Sequence, residues 1–272
     1  MLLIRNKRLR LLFGALESFS FLALKLWLRN PSRAHAYAGR VFRDYMSLVG
    51  KDKWVSLQIE QIFPDMKRSR IVLEHLPGDG VDNSIAELAY LALITQAVRP
   101  ERIFEIGTFR GRTALNFAVN SGPRSLVYTL DLPPEQRIEA LQRTHPADAE
   151  IIKNSDTGLY FRERQESEKI HQLYGDSLQF DFTPYLGKMD LVFIDGAHDY
   201  NTARSDTANA LRMITPGGWI VWHDFGNYGD YNDVTRAVLS LLPPMEVKQI
   251  DNSQLAIYRK PGRLAPPRAP TP

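Results

Sequence analysis

The chain has 272 residues and an ordinary globular composition, 44% hydrophobic and 24% charged, which excludes a wholly disordered or multispanning membrane protein. It has no cysteine, which removes disulfides, thiolate metal sites, iron–sulfur clusters and a cysteine nucleophile together. The net charge of +3 is unevenly spread: residues 1–43 hold nine Lys/Arg against Glu17 alone, or +8, leaving 44–272 at −5. Such a mildly acidic body offers no long-range attraction for phosphate, so no nucleic-acid partner is expected.

Residues 11–28 are an apolar run, about 27 Å long if helical. Glu17 and Lys25 inside it would be costly in lipid, which weighs against a membrane span. Together with Arg29 and Arg33 they also weigh against a cleaved signal peptide, although Ala36-Tyr37-Ala38 has the small-residue form of a cleavage site. A helix packed on its own domain, or on a second copy of the chain in a homo-oligomer, is one further reading. The other is a basic amphipathic helix on an anionic membrane surface, which would place a cytoplasmic protein at the inner face of a membrane. Residues 1–30 are therefore a basic leader helix, 31–80 a helical extension, 81–260 the main domain and 261–272 a proline-rich, disordered tail.

Asn30-Pro31 ends the leader, and 33–63 reads as helical. The breakers from His75 to Gly80 open the main domain. Ser84 caps a helix to about Val98, with Glu87 completing a capping box. A strand over Arg102–Ile106, a glycine turn and a helix from Arg112 to Val119 follow. Next come a strand at Ser125–Leu130, a helix at Pro134–Arg143 and a long loop or lid at 144–168. Strands at Lys169–Tyr174, Leu191–Ile194 and Trp219–Trp222 flank a helix over Thr202–Met213. A helix at Val234–Leu242 precedes strands Glu246–Ile250 and Gln254–Tyr258, joined by an Asp251-Asn252-Ser253 hairpin. This alternation predicts an α/β fold: a doubly wound, mostly parallel seven-stranded sheet with one antiparallel strand, helices on both faces and an N-terminal helical extension.

Ligands of open parallel sheets bind beyond the C-terminal strand ends. Glu105, Gly107, Thr108 and Gly111 surround a turn spaced G-x-x-x-G, which is neither the dinucleotide G-x-G-x-x-G nor a P-loop. Asp131 ends the next strand, where it can accept ribose hydroxyls, and Asp176-Ser177 ends another; each acid could equally be a helix cap. Asp195 opens the segment containing His198, and His223-Asp224 ends the following strand. Neighbouring strands lie about 4.8 Å apart, so Asp195, His223 and Asp224 could share a substrate, or Mg²⁺ or another divalent cation, or form a hydrogen-bonded cluster that shapes a pocket.

This ordered set resembles the class I S-adenosylmethionine-dependent methyltransferases over about residues 84–260. Glu105-Ile106-Gly107-Thr108-Phe109-Arg110-Gly111 matches the family's acidic glycine motif, Asp131 its ribose acid, and Asp176-Ser177 its adenine-side acid. Within the family, FIDGAHDY followed by PGGWIVWHDF looks like the subgroup that methylates oxygens of small molecules and sugars. The resemblance implies S-adenosylmethionine as cofactor, with Asp195 also at its site. Asp195 and Asp224 match acids that hold a divalent cation in some relatives. His223 in the first position of the pair, and Phe225 where catechol-type enzymes carry an asparagine ligand, depart from that pattern. Oxygen methylation needs a base, and His198, His223 or a cation at Asp195/Asp224 could each serve. The competing readings are a nucleotide-dependent oxidoreductase on the same layered fold and a non-catalytic, membrane-associated binding module.

Overall fold

The computed structural model describes residues 54–76, 84–137, 152, 156–226 and 232–262, all of them within the unit Gly50–Pro272. The leader at 1–30, most of the helical extension, residues 227–231 and the tail beyond 262 lie outside the described residues.

Eight strands form one sheet: β1 (Val55–Leu57), β2 (Arg102–Ile106), β3 (Leu126–Asp131), β4 (Ile170–Tyr174), β5 (Met189–Ile194), β6 (Ile214–Trp222), β7 (Lys248–Ile250) and β8 (Ala256–Arg259). Their order is β1-β7-β8-β6-β5-β2-β3-β4, and β8 alone is antiparallel to its neighbours. The α/β class, the parallel sheet and the single antiparallel strand agree with the sequence. The strand count does not, because β1 lies within a stretch that reads as helical. Val-Ser-Leu is too short for a period-2 signal, and its place is fixed by pairing Val55 with Lys248 and Leu57 with Ile250.

The helices are α1 (Ile59–Ile62), α2 (Ile85–Val98), α3 (Arg112–Asn120), α4 (Tyr200–Met213) and α5 (Asp233–Leu239). Ser84 caps α2 as its sequence demands: its hydroxyl accepts the Glu87 N–H while the Glu87 carboxylate accepts the Ser84 N–H. Asp199 caps α4 by accepting from the Asn201 and Thr202 amides, both at 3.1 Å. The helix expected from Pro134 is a 3-10 turn over Pro134–Gln136, and its remainder lies outside the described residues.

Apolar side chains bury both faces of the central strands. Phe104, Val192, Ile220 and Trp222 serve one face, and Ile103, Leu191, Phe193 and Val221 the other. An extended strap at 72–74 runs beside α3 and pairs with two of its asparagines. Asn116 exchanges hydrogen bonds with the backbone of Glu74, and Asn120 with that of Val72, at 2.8–3.0 Å. Spaced one helical turn apart, the two amides supply the ladder that a neighbouring strand would otherwise give. Among the described residues no helix is long and apolar enough to cross a membrane.

Candidate active site

The parallel register sets the C-terminal ends of β2, β5 and β6 level, with Ile106 beside Ile194 and Ile194 beside Trp222. The next residues continue the ladder: Asp195 N–H donates to Ile106 and His223 N–H to Ile194, at 2.8 and 3.0 Å. Gly107, Asp195 and His223 therefore leave the sheet side by side. An open cleft of about 1100 Å³ lies at the opposite strand edge, against Arg102, Asp190, Gly217 and Trp219. The candidate catalytic groups gather at the C-terminal edge instead.

The glycine turn is shaped by the protein's own packing. Gly107 has φ +102°, and a Cβ there would sit 2.0 Å from the Asp195 carbonyl oxygen. Gly111 has φ +80°, and its Cβ would meet the Phe161 ring at 2.4 Å. Both positions thus need glycine for conformation and for close approach. Part of the 144–168 segment braces this turn: Gly158 and Tyr160 donate to the carbonyls of Phe109 and Arg110, with Phe161 buried between.

Beneath the turn runs a polar chain. Gln172 Nε2 donates to the Thr108 hydroxyl at 3.1 Å, the Thr108 and Thr129 hydroxyls are 2.6 Å apart, and Thr129 donates to Glu105 Oε2 at 2.5 Å. Glu105 Oε1 is buried with no hydrogen-bond partner among the described residues. Burial pushes the Glu105 carboxyl well up, against the Thr129 bond, with Asp195 and Asp131 adding to the rise. Asp131 accepts from the Phe109 and Leu132 amides at 2.7 Å, one per oxygen, so it orients the glycine turn directly. Burial raises its carboxyl in spite of these bonds. Asp176 accepts the Leu178 amide and, with Ser177, is half-buried at the end of β4. Asp131, Asp176 and Ser177, partly exposed along one edge, offer acceptor oxygens that fit a cofactor with amino and ribose hydroxyl donors.

Asp224 links the two histidines of the candidate cluster. It adopts φ 56°, a left-handed conformation that Asp tolerates better than most residues. Its Oδ2 lies 2.6 Å from His198 Nε2 and 2.9 Å from His223 Nδ1, and His223 Nδ1 is 3.2 Å from Asp195 Oδ1. On the other side of the ring, His223 Nε2 is 3.7 Å from Glu87 Oε2. Burial disfavours a charged His223, but Asp195 and Asp224 outweigh it and hold the imidazole well above its ordinary range. Burial likewise opposes a charged Asp224, yet the two histidines hold that carboxyl far below its usual range. Glu87 is pulled down to about 2: burial raises it, and the His223 contact with the Gln254 and Ser84 amides more than offsets that.

Three of these groups, Asp195, His198 and Asp224, offer ligand atoms within 4.8 Å of one another. His198 stands in this donor set, whereas the sequence reading names His223, whose Nδ1 lies between Asp224 and Asp195 and whose Nε2 is buried without a hydrogen-bond partner among the described residues. Glu87 is the member that sequence reasoning missed. Its capping box fully explains it as a helix start, and nothing local signals that it also faces a histidine 136 positions later.

Residues 104–225 match a family described as a methyltransferase domain. A curated relative, the catechol O-methyltransferase of Mycobacterium tuberculosis, is 30% identical over 137 residues, covering 48% of this chain and 51% of that protein. The chain thus spans about half the length of the curated relative it matches. Among solved structures, the O-methyltransferase TomG from Streptomyces achromogenes is 19% identical with a TM-score of 0.44, covering 68% of this chain and 83% of that one. An O-methyltransferase from Bacillus cereus is 18% identical with a TM-score of 0.45, covering 68% and 84%. The acidic glycine turn and the strand-end acids lie within or beside the matched stretch: residues 104–225, a little under half of the chain, are similar to a methyltransferase domain.

Proposed function

We propose that the chain transfers the methyl group of S-adenosylmethionine to a hydroxyl oxygen of a small molecule or sugar, with His198 as general base. The observation that carries this reading is the 2.6 Å pair between His198 Nε2 and Asp224 Oδ2, beside Asp195 at the cofactor edge. The acceptor oxygen bonds to the methyl carbon as the carbon–sulfur bond breaks, and S-adenosylhomocysteine leaves. His198 takes the hydroxyl proton, and anionic Asp224 orients the ring and stabilises the imidazolium that forms. His223 is already held as a cation by its carboxylates, so it serves to balance charge and not as a base. Glu105, Asp131, Asp176 and Ser177, with the turn from Gly107 to Gly111, hold the cofactor. Most of the rate then comes from in-line positioning.

The donor set Asp195, His198 and Asp224 supports a second reading. These residues would hold a divalent cation, which would lower the pKa of the acceptor hydroxyl. In that case His198 is a ligand and not a base.

Calorimetric titration with S-adenosylmethionine, S-adenosylhomocysteine and NAD, each with and without EDTA, tests the cofactor. Micromolar binding of the first two supports the reading; binding of NAD alone moves it to an oxidoreductase, and no binding to folded protein leaves a binding module. S-adenosylhomocysteine release from a panel of hydroxylated acceptors then tests the base. His198→Ala is expected to keep cofactor affinity and lower turnover by about 10²–10⁴-fold. Loss of activity in EDTA, restored by Mg²⁺, selects the cation reading.

A further inference from the structure

Three neighbouring strands carry a polar side chain at the same level of one sheet face. The register pairs Glu105 of β2 with Thr129 of β3, and Thr129 with Gln172 of β4. Two residues earlier that face presents Ile103, Val127 and Ile170, which belong to one buried apolar cluster with Leu115 and Ala118 of α3. Polar groups set into such a face cost free energy unless they are paired. Glu105 Oε1 and Gln172 Oε1 are both buried without a hydrogen-bond partner among the described residues, so packing alone does not account for the row. Gln172 gives it a direction. Its Nε2 donates to the carbonyls of Leu173 and Thr129 at 2.9 and 3.2 Å, and to the Thr108 hydroxyl at 3.1 Å. The two carbonyls fix the amide, because a flipped one would set its oxygen against both of them. A nitrogen that cannot accept leaves Thr108 to accept from it and to turn its own proton to Thr129, 2.6 Å away, and Thr129 donates to Glu105 Oε2.

We propose that Gln172 is a positioning residue of the cofactor site, acting through the Thr108 hydroxyl to hold the glycine turn in its binding conformation. This inference rests on the methyltransferase reading of the site. Thr108 directly follows Gly107, is 4% exposed, and accepts the Gly111 N–H at its carbonyl at 2.8 Å, so it spans the turn between the two glycines. Asp131 restrains the next residue by accepting the Phe109 N–H at 2.7 Å. Gln172 restrains Thr108 from below, and of its three bonds this one alone leaves the sheet. The restraint matters because glycine loses more conformational entropy on ordering than any other residue. A turn ordered in the free protein leaves that cost out of ligand binding.

The test is calorimetric titration of the full chain with S-adenosylhomocysteine, with thermal denaturation of each variant alongside. Gln172→Met keeps the length of the side chain but cannot donate, and is expected to weaken binding about three- to tenfold. Thr108→Val, which removes the hydroxyl, should weaken it at least as much, and Thr108→Ser, which keeps it, should bind within about twofold of wild type. In the Thr108→Val background Gln172→Met should then cost less than about a further twofold, because the link it removes is already gone. A Gln172 that only ties β4 to β3 would lower the melting temperature and leave affinity unchanged, and that result overturns the inference. Losses that multiply in the double variant overturn it too, since Gln172 would then act by another route. Both results leave the cofactor reading standing. Should Gln172→Met not fold, the Thr108 pair decides: valine binding as tightly as wild type, or serine as weakly as valine, overturns the inference. Failure of folded wild-type protein to bind S-adenosylhomocysteine overturns both the inference and the cofactor reading.

Discussion

A methyl group at Gly107 would meet the Asp195 carbonyl oxygen on a backbone already at φ +102°, so neither a rotamer nor a small shift can relieve it. Gly107→Ala is expected to lose stability on the order of 3 kcal/mol and to abolish S-adenosylhomocysteine binding, which thermal denaturation and titration would read separately. Asp224 makes a sharper probe because its left-handed backbone accepts asparagine. Asp224→Asn keeps the fold and the shape but removes the anion between His198 and His223. Turnover should fall about 10²-fold or more while cofactor affinity holds, measured as a split between kcat and the dissociation constant. Unchanged kcat would show that His198 needs no anionic partner.

At the scale of elements, α2 brings a helix start against the candidate cluster. Glu87 Oε1 accepts the Gln254 N–H at 2.8 Å, while Oε2 takes the Ser84 amide and hydroxyl and faces His223. Its carboxyl stands near 2 in the fold and near 4.5 as an isolated group, a folded value below the unfolded one. The stability it contributes is therefore present above the higher value and lost as pH falls from 4.5 towards 2. Glu87→Gln should flatten that part of the acid unfolding curve, by up to about 3 kcal/mol, in denaturant melts across the window. An unaltered acid limb would mean that the carboxylate is not what His223 and the cap rely on. The cap itself was legible in Ser84-x-x-Glu87, as were α3, α4 and the five central strands, because local periodicity and breakers determine them. The strap at 72–74 and the tie from Glu87 to His223 were not, since each depends on partners that only the fold brings near. The carboxylates after the strands were visible by position. The contacts of the His198 and His223 rings were not, because which ring nitrogen meets which oxygen depends on the fold.

Across the whole molecule, the segment ahead of the domain is joined to the edge of the candidate site through Trp54. This residue precedes β1, the strand the sequence did not disclose, and its ring is 4% exposed. Its indole N–H donates to Gln249 Oε1 at 2.8 Å, and its ring meets Phe225 edge-on at 5.1 Å. Gln249 Nε2 in turn donates to the Phe225 carbonyl at 3.3 Å. Phe225 directly follows Asp224, so the packing of Trp54 bears on the backbone that holds the strained aspartate. Trp54→Phe removes the hydrogen bond but keeps most of the ring contact, and should lose about 1 kcal/mol with kcat unchanged. Trp54→Ala removes both and should lose about 3–5 kcal/mol. Because its ring packs on Phe225, next to Asp224, Trp54→Ala should also lower kcat under conditions where the variant remains folded. Circular dichroism melts alongside single-turnover rates separate the two effects. A Trp54→Ala variant that is destabilised but turns over at the wild-type rate would confine β1 to a structural role at the sheet edge.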